Sequence, residues 1–168
     1  MNLLDAVRDR NLFAAWFDRG DWTAWCAFIA ALFGLPMDDE QAAVYRQCTG
    51  RHTSPSQPFS EAWLVVGRRG GKSFIAALVA VFLAAFRDYR EHLQPGERGT
   101  VLILAADRKQ ARTILRYVRA LFAEVPMLSR LVERYRRGHR PDDARQYRGA
   151  YGIIPQRARL QHRGRPAG

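Results

Sequence analysis

The sequence predicts an α/β domain in which two strands of a parallel sheet follow a helical N-terminal extension and precede a disordered, arginine-rich tail. Two apolar runs, residues 62–66 and 100–106, have the continuous character of strands buried on both faces. Each run precedes a stretch with helical periodicity, and the order strand, helix, strand, helix is typical of parallel sheets. Residues before the first run also show helical periodicity, whereas residues 134–168 show none.

These elements divide the chain into a helical extension at 1–56, a partial sheet domain at 57–133 and a basic tail at 134–168. Asp21 is suited to cap the second helix, Gly34 and Pro36 to end it, and Asp107 to cap the helix after the second strand. The predicted helices span residues 3–17, 21–34, 37–50, 74–91 and 108–123.

The segment between the first strand and its helix has the composition of a phosphate-binding loop. It reads Gly67-Arg68-Arg69-Gly70-Gly71-Lys72-Ser73. Glycines let backbone N–H groups approach an anion, and a helix N-terminus offers unpaired donors and the positive end of a dipole. Lys72 would reach the terminal phosphates, and the Ser73 hydroxyl would ligate Mg²⁺. The usual signature has one more residue before its last glycine, so this loop is a shortened variant.

Two interpretations of the segment stay open at this point. It is either an ordinary glycine turn followed by a capping lysine and serine, or a phosphate loop, which the strand before it and the helix after it favour. Arg68 and Arg69 are likewise either solvated charges, or one of them contacts a phosphate and stabilises charge in the transition state.

Charge, cysteine content and apolar runs indicate where the protein acts and which partners it has. The net charge is +11, and residues 134–168 supply +8 of it through ten arginines and two aspartates. Cys26 and Cys48 lack the spacing of a metal site or a disulfide framework, which favours a reducing cytoplasm. The longest apolar run, residues 74–86, is too short to span a bilayer, and the N-terminus lacks a signal pattern. No membrane partner is expected.

Between about residues 22 and 128 the chain resembles the N-terminal ATPase part of the large subunit of bacteriophage terminases, the DNA-packaging motors of the P-loop NTPase class. The similarity lies in the shortened Walker A loop with an arginine after its first residue, and in the lead-in that carries Trp22, Trp25 and Leu-Phe-Gly-Leu-Pro at 32–36. The run from Val101 to Ala111 also looks like the family's next strand and helix.

The resemblance implies ATP and Mg²⁺ as cofactors, with Gly67, Gly70, Gly71, Lys72 and Ser73 around the phosphates and Ser73 on the metal. It implies that Arg68 acts on the terminal phosphate, with Arg69 as second choice. Gln57-Pro58-Phe59 is similar in place to an adenine-contacting segment, although a plain loop is the simpler interpretation. The implied partners are double-stranded DNA, the terminase small subunit and the portal, in the cytoplasm of a host carrying the phage or prophage.

Other parts of the family's pattern are missing. Hydrolysis needs an apolar strand that ends in Asp-Glu, and after Asp107 the only acids are Glu124, Glu133, Asp142 and Asp143. The nuclease domain is also missing. The expectation is therefore a truncated, ATP-binding fragment that hydrolyses little or no ATP alone. A further hypothesis is that the tail from about residue 134 is an out-of-frame ending.

Two alternative functions stay open. One is a non-enzymatic nucleic-acid-binding protein, in which tail arginines neutralise phosphates while Tyr147 and Tyr151 stack on bases. The other is a fragment of a different P-loop motor, such as a helicase, because the early strands of these proteins are alike.

Overall fold

The computed structural model describes residues 1–94, 97 and 99–138. This described part is 57% helix and contains no strand. The chain divides into two compact units, Met1–Gly70 and Gly71–Gly168, and each has its own apolar core. The predicted parallel sheet of a partial P-loop NTPase is therefore wrong for the described residues.

The first unit is built from four helices around a small core. Its centre contains Leu3, Phe13 and Ile29, all of which are fully buried, and Tyr45 closes one side. The helices are α1 (Leu3–Arg8), α2 (Ala14–Phe17), α3 (Thr23–Phe33) and α4 (Asp39–Thr49).

A break separates α1 from α2, where the sequence predicted one continuous helix. Asn2 and Asp5 cap the start of α1 reciprocally, with N–H to side-chain distances of 2.8 and 3.1 Å. At the other end the Asp9 carboxylate accepts from the Asn11 N–H at 2.7 Å, and its carbonyl accepts from Leu12 and Ala14. Because these bonds offer the backbone an alternative to the helix ladder, the helix ends there.

The predicted ends of α3 and α4 are confirmed, but the predicted cap of α3 at Asp21 is wrong, because the N-cap is Trp22 and it has no side-chain cap. The Asp21 carboxylate accepts from the Thr23 N–H at 2.8 Å, and α3 begins at that residue. Asp38 caps α4 by accepting from the Gln41 N–H, also at 2.8 Å. Gly34 and Gly50 end these helices in the left-handed conformation, with φ of 62° and 69°.

Gly34 also lies in close contact with the loop before the phosphate segment. A Cβ atom added to it would lie 2.4 Å from the carbonyl carbon of Gln57. The Phe59 N–H donates to the Leu32 carbonyl at 3.0 Å. The end of α3 therefore holds the chain at residues 57–59.

Where the second unit is described, it contains three helices and one 3₁₀ turn, Arg90–His92. Fully buried side chains of α5, among them Ile75, Leu78 and Phe82, form its core together with Leu121 and Leu128. The helices are α5 (Lys72–Phe86), α6 (Arg108–Glu124) and α7 (Pro126–Gly138). Asp107 caps α6 as predicted, accepting from the Gln110 N–H at 2.8 Å.

Two boundaries in this unit differ from the prediction. α5 stops at Phe86, earlier than the expected end near residue 91. α7 runs through residues 134–138, the first part of the predicted tail. The remainder of that tail, with Tyr147 and Tyr151, lies outside the described residues. No helix in the described residues is long and apolar enough to cross a membrane.

The two runs predicted as strands form no strand in the described part of the chain. Trp63 is 90% exposed and Val65 is fully exposed, while Leu102 and Leu104 are about half exposed. Neither run joins a hydrogen-bonded ladder within the described residues. Apolar composition suits a strand only where neighbouring strands satisfy its backbone groups, and the described chain brings no such neighbour to either run.

The Gly34 contact predicts unequal effects of alanine at the two left-handed helix ends. Alanine at either glycine costs about 1–2 kcal/mol through its left-handed φ. Gly34→Ala should cost about 1–3 kcal/mol more, because its methyl group overlaps the Gln57 backbone. Gly50→Ala is the matched control, since no atom lies within 4 Å of its added Cβ. Urea unfolding of both variants measures the difference, and equal losses of stability would contradict the contact.

Candidate phosphate-binding site

The predicted phosphate segment spans the boundary between the two compact units. Gly67, Arg68, Arg69 and Gly70 end the first unit, and Gly71, Lys72 and Ser73 begin the second.

In the first unit, residues Gly67 to Gly70 form a turn that is fixed to α3. The Gly70 N–H donates to the Gly67 carbonyl at 3.4 Å. The indole N–H of Trp25 donates to the Gly70 carbonyl at 3.0 Å, across 45 residues of sequence and in a partly buried position. The Trp25 ring meets Phe28 edge to face at 5.8 Å, which orients the indole. The turn therefore has a defined position in its unit.

Gly70 is required in this turn for steric reasons. A Cβ atom at Gly70 would lie 2.6 Å from Val66 Cγ1 and 3.3 Å from the Gly67 carbonyl oxygen. At Gly67, by contrast, an added Cβ would meet nothing within 4 Å. The two glycines therefore have different roles, although both fit the same sequence signature.

Both arginines of the turn extend into solvent. Arg68 and Arg69 are exposed, and neither has a hydrogen-bond or ion-pair partner in the described residues. Arg69 has a φ of 62°, and no other non-glycine residue in the described part has a positive φ. Two positive charges in such a turn are suited to meet an anion from solution.

In the second unit, α5 begins with an open N-terminus. Gly71 is its N-cap, with φ of 77° and no side-chain cap, and its carbonyl accepts from the Phe74 and Ile75 N–H groups at 3.0 and 3.1 Å. The N–H groups of Gly71 and Ser73 and the Ser73 hydroxyl have no hydrogen-bond partner among the described residues. Lys72 is exposed beside them. These groups can bind an oxyanion at the positive end of the helix dipole.

The segment that the sequence suggests for adenine contact and the acids that follow Asp107 lie elsewhere in the chain. Gln57, Pro58 and Phe59 lie against the end of α3, and the Arg51 guanidinium lies over the Phe59 ring at 5.1 Å. This contact gives Phe59 a partner within the fold. Glu124 is exposed at the end of α6, whereas the Glu133 side chain, Asp142 and Asp143 lie outside the described residues.

The described residues offer no cluster of metal-binding side chains. No group of three His, Cys, Asp or Glu side chains in the described residues is arranged to hold a metal ion. Ser73 supplies the one protein oxygen that the sequence assigns to Mg²⁺. A bound Mg²⁺ would thus take its other ligands from phosphate oxygens and water, a pattern that is common for this ion.

A second cationic feature lies on α6, which sequence reasoning treated only as an amphipathic helix. We call it the basic stripe: Arg108, Lys109, Arg112, Arg116 and Arg119. All five side chains are exposed. Residues 108, 112, 116 and 119 recur at helical spacing and share one face over about 17 Å. The opposite face of α6 is buried through Ala111, Val118 and Leu121.

Charges near the basic stripe do not neutralise it. None of the five cations has an ion pair with the described part of the chain, and Arg116 makes one weak bond of 3.4 Å to the Thr113 hydroxyl. Glu124 is the one acid within α6. The spacing of these arginines was visible in the sequence and would have predicted this face.

Comparison with family models, with curated proteins and with solved structures finds no match for this chain. Its function is therefore argued from its own residues.

The glycines of the turn predict a selective effect on folding. Gly70→Ala should destabilise the first unit by about 1–3 kcal/mol, because the methyl group overlaps Val66. Gly67→Ala serves as the control and should change stability by less than about 1 kcal/mol, within the range of substitutions away from packed features. Thermal unfolding of the two variants tests this difference. An equal shift of both midpoints would contradict the described turn.

Proposed function

We propose that the segment from Gly67 to Ser73 binds the phosphates of ATP with Mg²⁺, and that the chain is the ATP-binding part of a terminase-like DNA-packaging motor. The open N-terminus of α5 carries this proposal. It combines unpaired backbone donors, a left-handed glycine at the N-cap, an exposed lysine and a serine hydroxyl within three consecutive residues. An ordinary turn with a capping serine would instead have that hydroxyl bonded to the backbone.

Each residue then has a distinct task. Gly71 and Ser73 donate backbone N–H bonds to phosphate oxygens, and Lys72 neutralises the terminal phosphates. Ser73 gives one oxygen to Mg²⁺, which draws charge from the phosphates when it is bound. The family resemblance implies that Arg68, or Arg69 as second choice, acts on the terminal phosphate. In such a motor the further partners would be double-stranded DNA, the small subunit and the portal.

Binding without efficient turnover fits the residues at hand. Phosphoryl transfer needs a group that positions the attacking water and a second carboxylate near the metal. Within the described residues no cluster of acids accompanies the loop. We therefore propose nucleotide binding alone for the described residues.

A second candidate function is binding of a nucleic-acid backbone by the basic stripe on α6. We propose this function for the basic stripe rather than for the arginine-rich tail, because the stripe lies on a folded helix. Arg108 and Lys109 lie in the first turn of α6, where the helix dipole favours acids. These cations therefore do not stabilise the helix, and their arrangement suits a row of phosphates.

Removal of Lys72 tests nucleotide binding. Lys72→Ala should weaken ATP binding about tenfold or more, because a charge-assisted contact to phosphate contributes about 1.5–3 kcal/mol. Isothermal titration calorimetry of the full chain with ATP and Mg²⁺ measures the affinity.

Arg10→Ala is the control, since Arg10 is an exposed cation that belongs neither to the phosphate segment nor to the basic stripe. Its ATP affinity should stay within about twofold of the unaltered chain, because an exposed charge away from the site contributes little. If the folded protein binds no ATP, or both variants lose affinity equally, the phosphate-loop proposal is wrong.

The basic stripe is tested through the salt dependence of DNA binding. The double variant Arg112→Gln, Arg116→Gln should reduce the slope of log affinity against log salt by about 2, because each lost phosphate contact removes about 0.9 from the slope. Fluorescence anisotropy with a labelled duplex measures this. The variant Arg10→Gln, Arg46→Gln removes the same charge from the first unit, where both residues are exposed. Equal slopes in the two double variants would rule out the stripe.

A further inference from the structure

The first unit contains a cleft of about 460 Å³ that is separate from the phosphate segment. It lies among α1, α2, α3 and the start of α4, and it is open to solvent on one side. This volume is within the range of small-molecule sites, about 300–1,000 Å³.

The rim of the cleft is acidic. Four carboxylates line it, and Arg8 is the one cation among the lining residues, which leaves three net negative charges. The four are Asp18, Asp21, Asp38 and Glu40, all exposed. The Thr23 N–H lowers the pKa of Asp21 by hydrogen bonding to its carboxylate, so this group stays ionised at neutral pH.

The interior of the cleft contains an unsatisfied polar side chain. Gln41 is 5% exposed and is the one buried polar residue in the described part of the chain. Its backbone N–H is bonded to Asp38, but its side-chain amide has no hydrogen-bond partner among the described residues. A buried amide without partners costs about 1–3 kcal/mol. A ligand that donates to the amide oxygen would remove this cost.

Two aromatic rings complete the lining. Phe17 and Trp22 meet at a centroid distance of 4.8 Å, and both contribute to the cleft wall. The indole N–H of Trp22 donates to the Arg19 carbonyl at 2.8 Å, which fixes the ring. Such rings accept methylene groups and attract cations to their faces.

Cys26 also lines the cleft, but its chemistry does not favour a reactive thiol. Burial raises the pKa of Cys26, and the charges of Asp38 and Asp21 raise it further, although Arg8 opposes them. The thiol is therefore neutral at neutral pH and is neither a strong nucleophile nor a ready metal ligand.

We propose that this cleft binds a linear aliphatic polyamine, whose ammonium groups pair with the rim carboxylates and donate to Gln41 while its methylenes lie against Phe17 and Trp22. The carboxylates are spread around the rim rather than grouped as metal ligands in the described residues, and several separate ammonium groups match that spread. This proposal does not depend on nucleotide or DNA binding.

Spermidine is the probe, titrated calorimetrically into the full chain at about 150 mM salt, where exposed charges are screened beyond about 8 Å. Saturable binding is expected, with a shift of the Trp22 indole N–H resonance. MgCl₂ at equal charge should not reproduce that shift. No saturable binding, or an equal response to MgCl₂, would overturn the proposal and leave only screening of an acidic surface.

Two variants locate the ligand. Glu40→Gln should weaken spermidine binding about two- to fivefold, as for the loss of one exposed ion pair. Asp39→Asn is the control, because Asp39 is the exposed neighbour of Glu40 in the first turn of α4 but does not line the cleft. Its affinity should remain within about twofold, since it removes the same charge. Equal losses in the two variants would contradict the assigned site.

Gln41→Leu separates a ligand-binding role from a structural one. It removes an unpaired buried amide, so the thermal midpoint should stay the same or rise. Spermidine binding should nevertheless weaken about two- to tenfold, the range for one hydrogen bond. A lower midpoint would show that Gln41 has a structural partner, and unchanged affinity would show that it does not contact the ligand. Either result would contradict the proposal.

Discussion

The hydrogen bond from the Trp25 indole to the Gly70 carbonyl, 3.0 Å long, is the constraint on which the candidate phosphate turn depends. Without it, residues Gly67 to Gly70 would follow a largely exposed run that has no regular secondary structure to position them. The bond places the turn on α3, a helix whose own end is fixed by Gly34 against Gln57. One helix thus supports both the turn and the loop that leads to it.

Helices and their ends were the most predictable part of the chain, because their signals are local. Asp38 and Asp107 cap helices through the N–H groups three residues on, and Gly34 and Gly50 end helices in a conformation that glycine adopts without strain. Such signals depend on few neighbours, so a single sequence contains them. Asp9 acts locally in the same way, because its hydrogen bonds end α1. The prediction of one continuous helix did not include this break.

The lack of strand pairing in the described residues and the presence of the cleft could not be predicted in this way, because both depend on distant residues. Residues 62–66 have the composition of a buried strand, yet pairing is a property of two segments, and Trp63 and Val65 lie in solvent. The cleft likewise assembles side chains from four separate helices, among them Phe17 and Gln41. Neither residue belongs to a motif, and only the packing of the first unit shows that they share a cavity. The composition of the phosphate segment identified it in the sequence. The hydrogen bond from the Trp25 indole to Gly70 could not be identified there, because it joins residues 45 positions apart.

The left-handed backbone conformation of Arg69 is unfavourable for a residue with a side chain. A side chain with a Cβ atom at φ 62° raises the energy of the native backbone by about 1–2 kcal/mol relative to glycine. Gly70 follows directly, and a glycine at position 69 would form the same turn without this cost. Folding thermodynamics alone therefore disfavours arginine here, and a contact between the guanidinium and a bound anion would offset that cost.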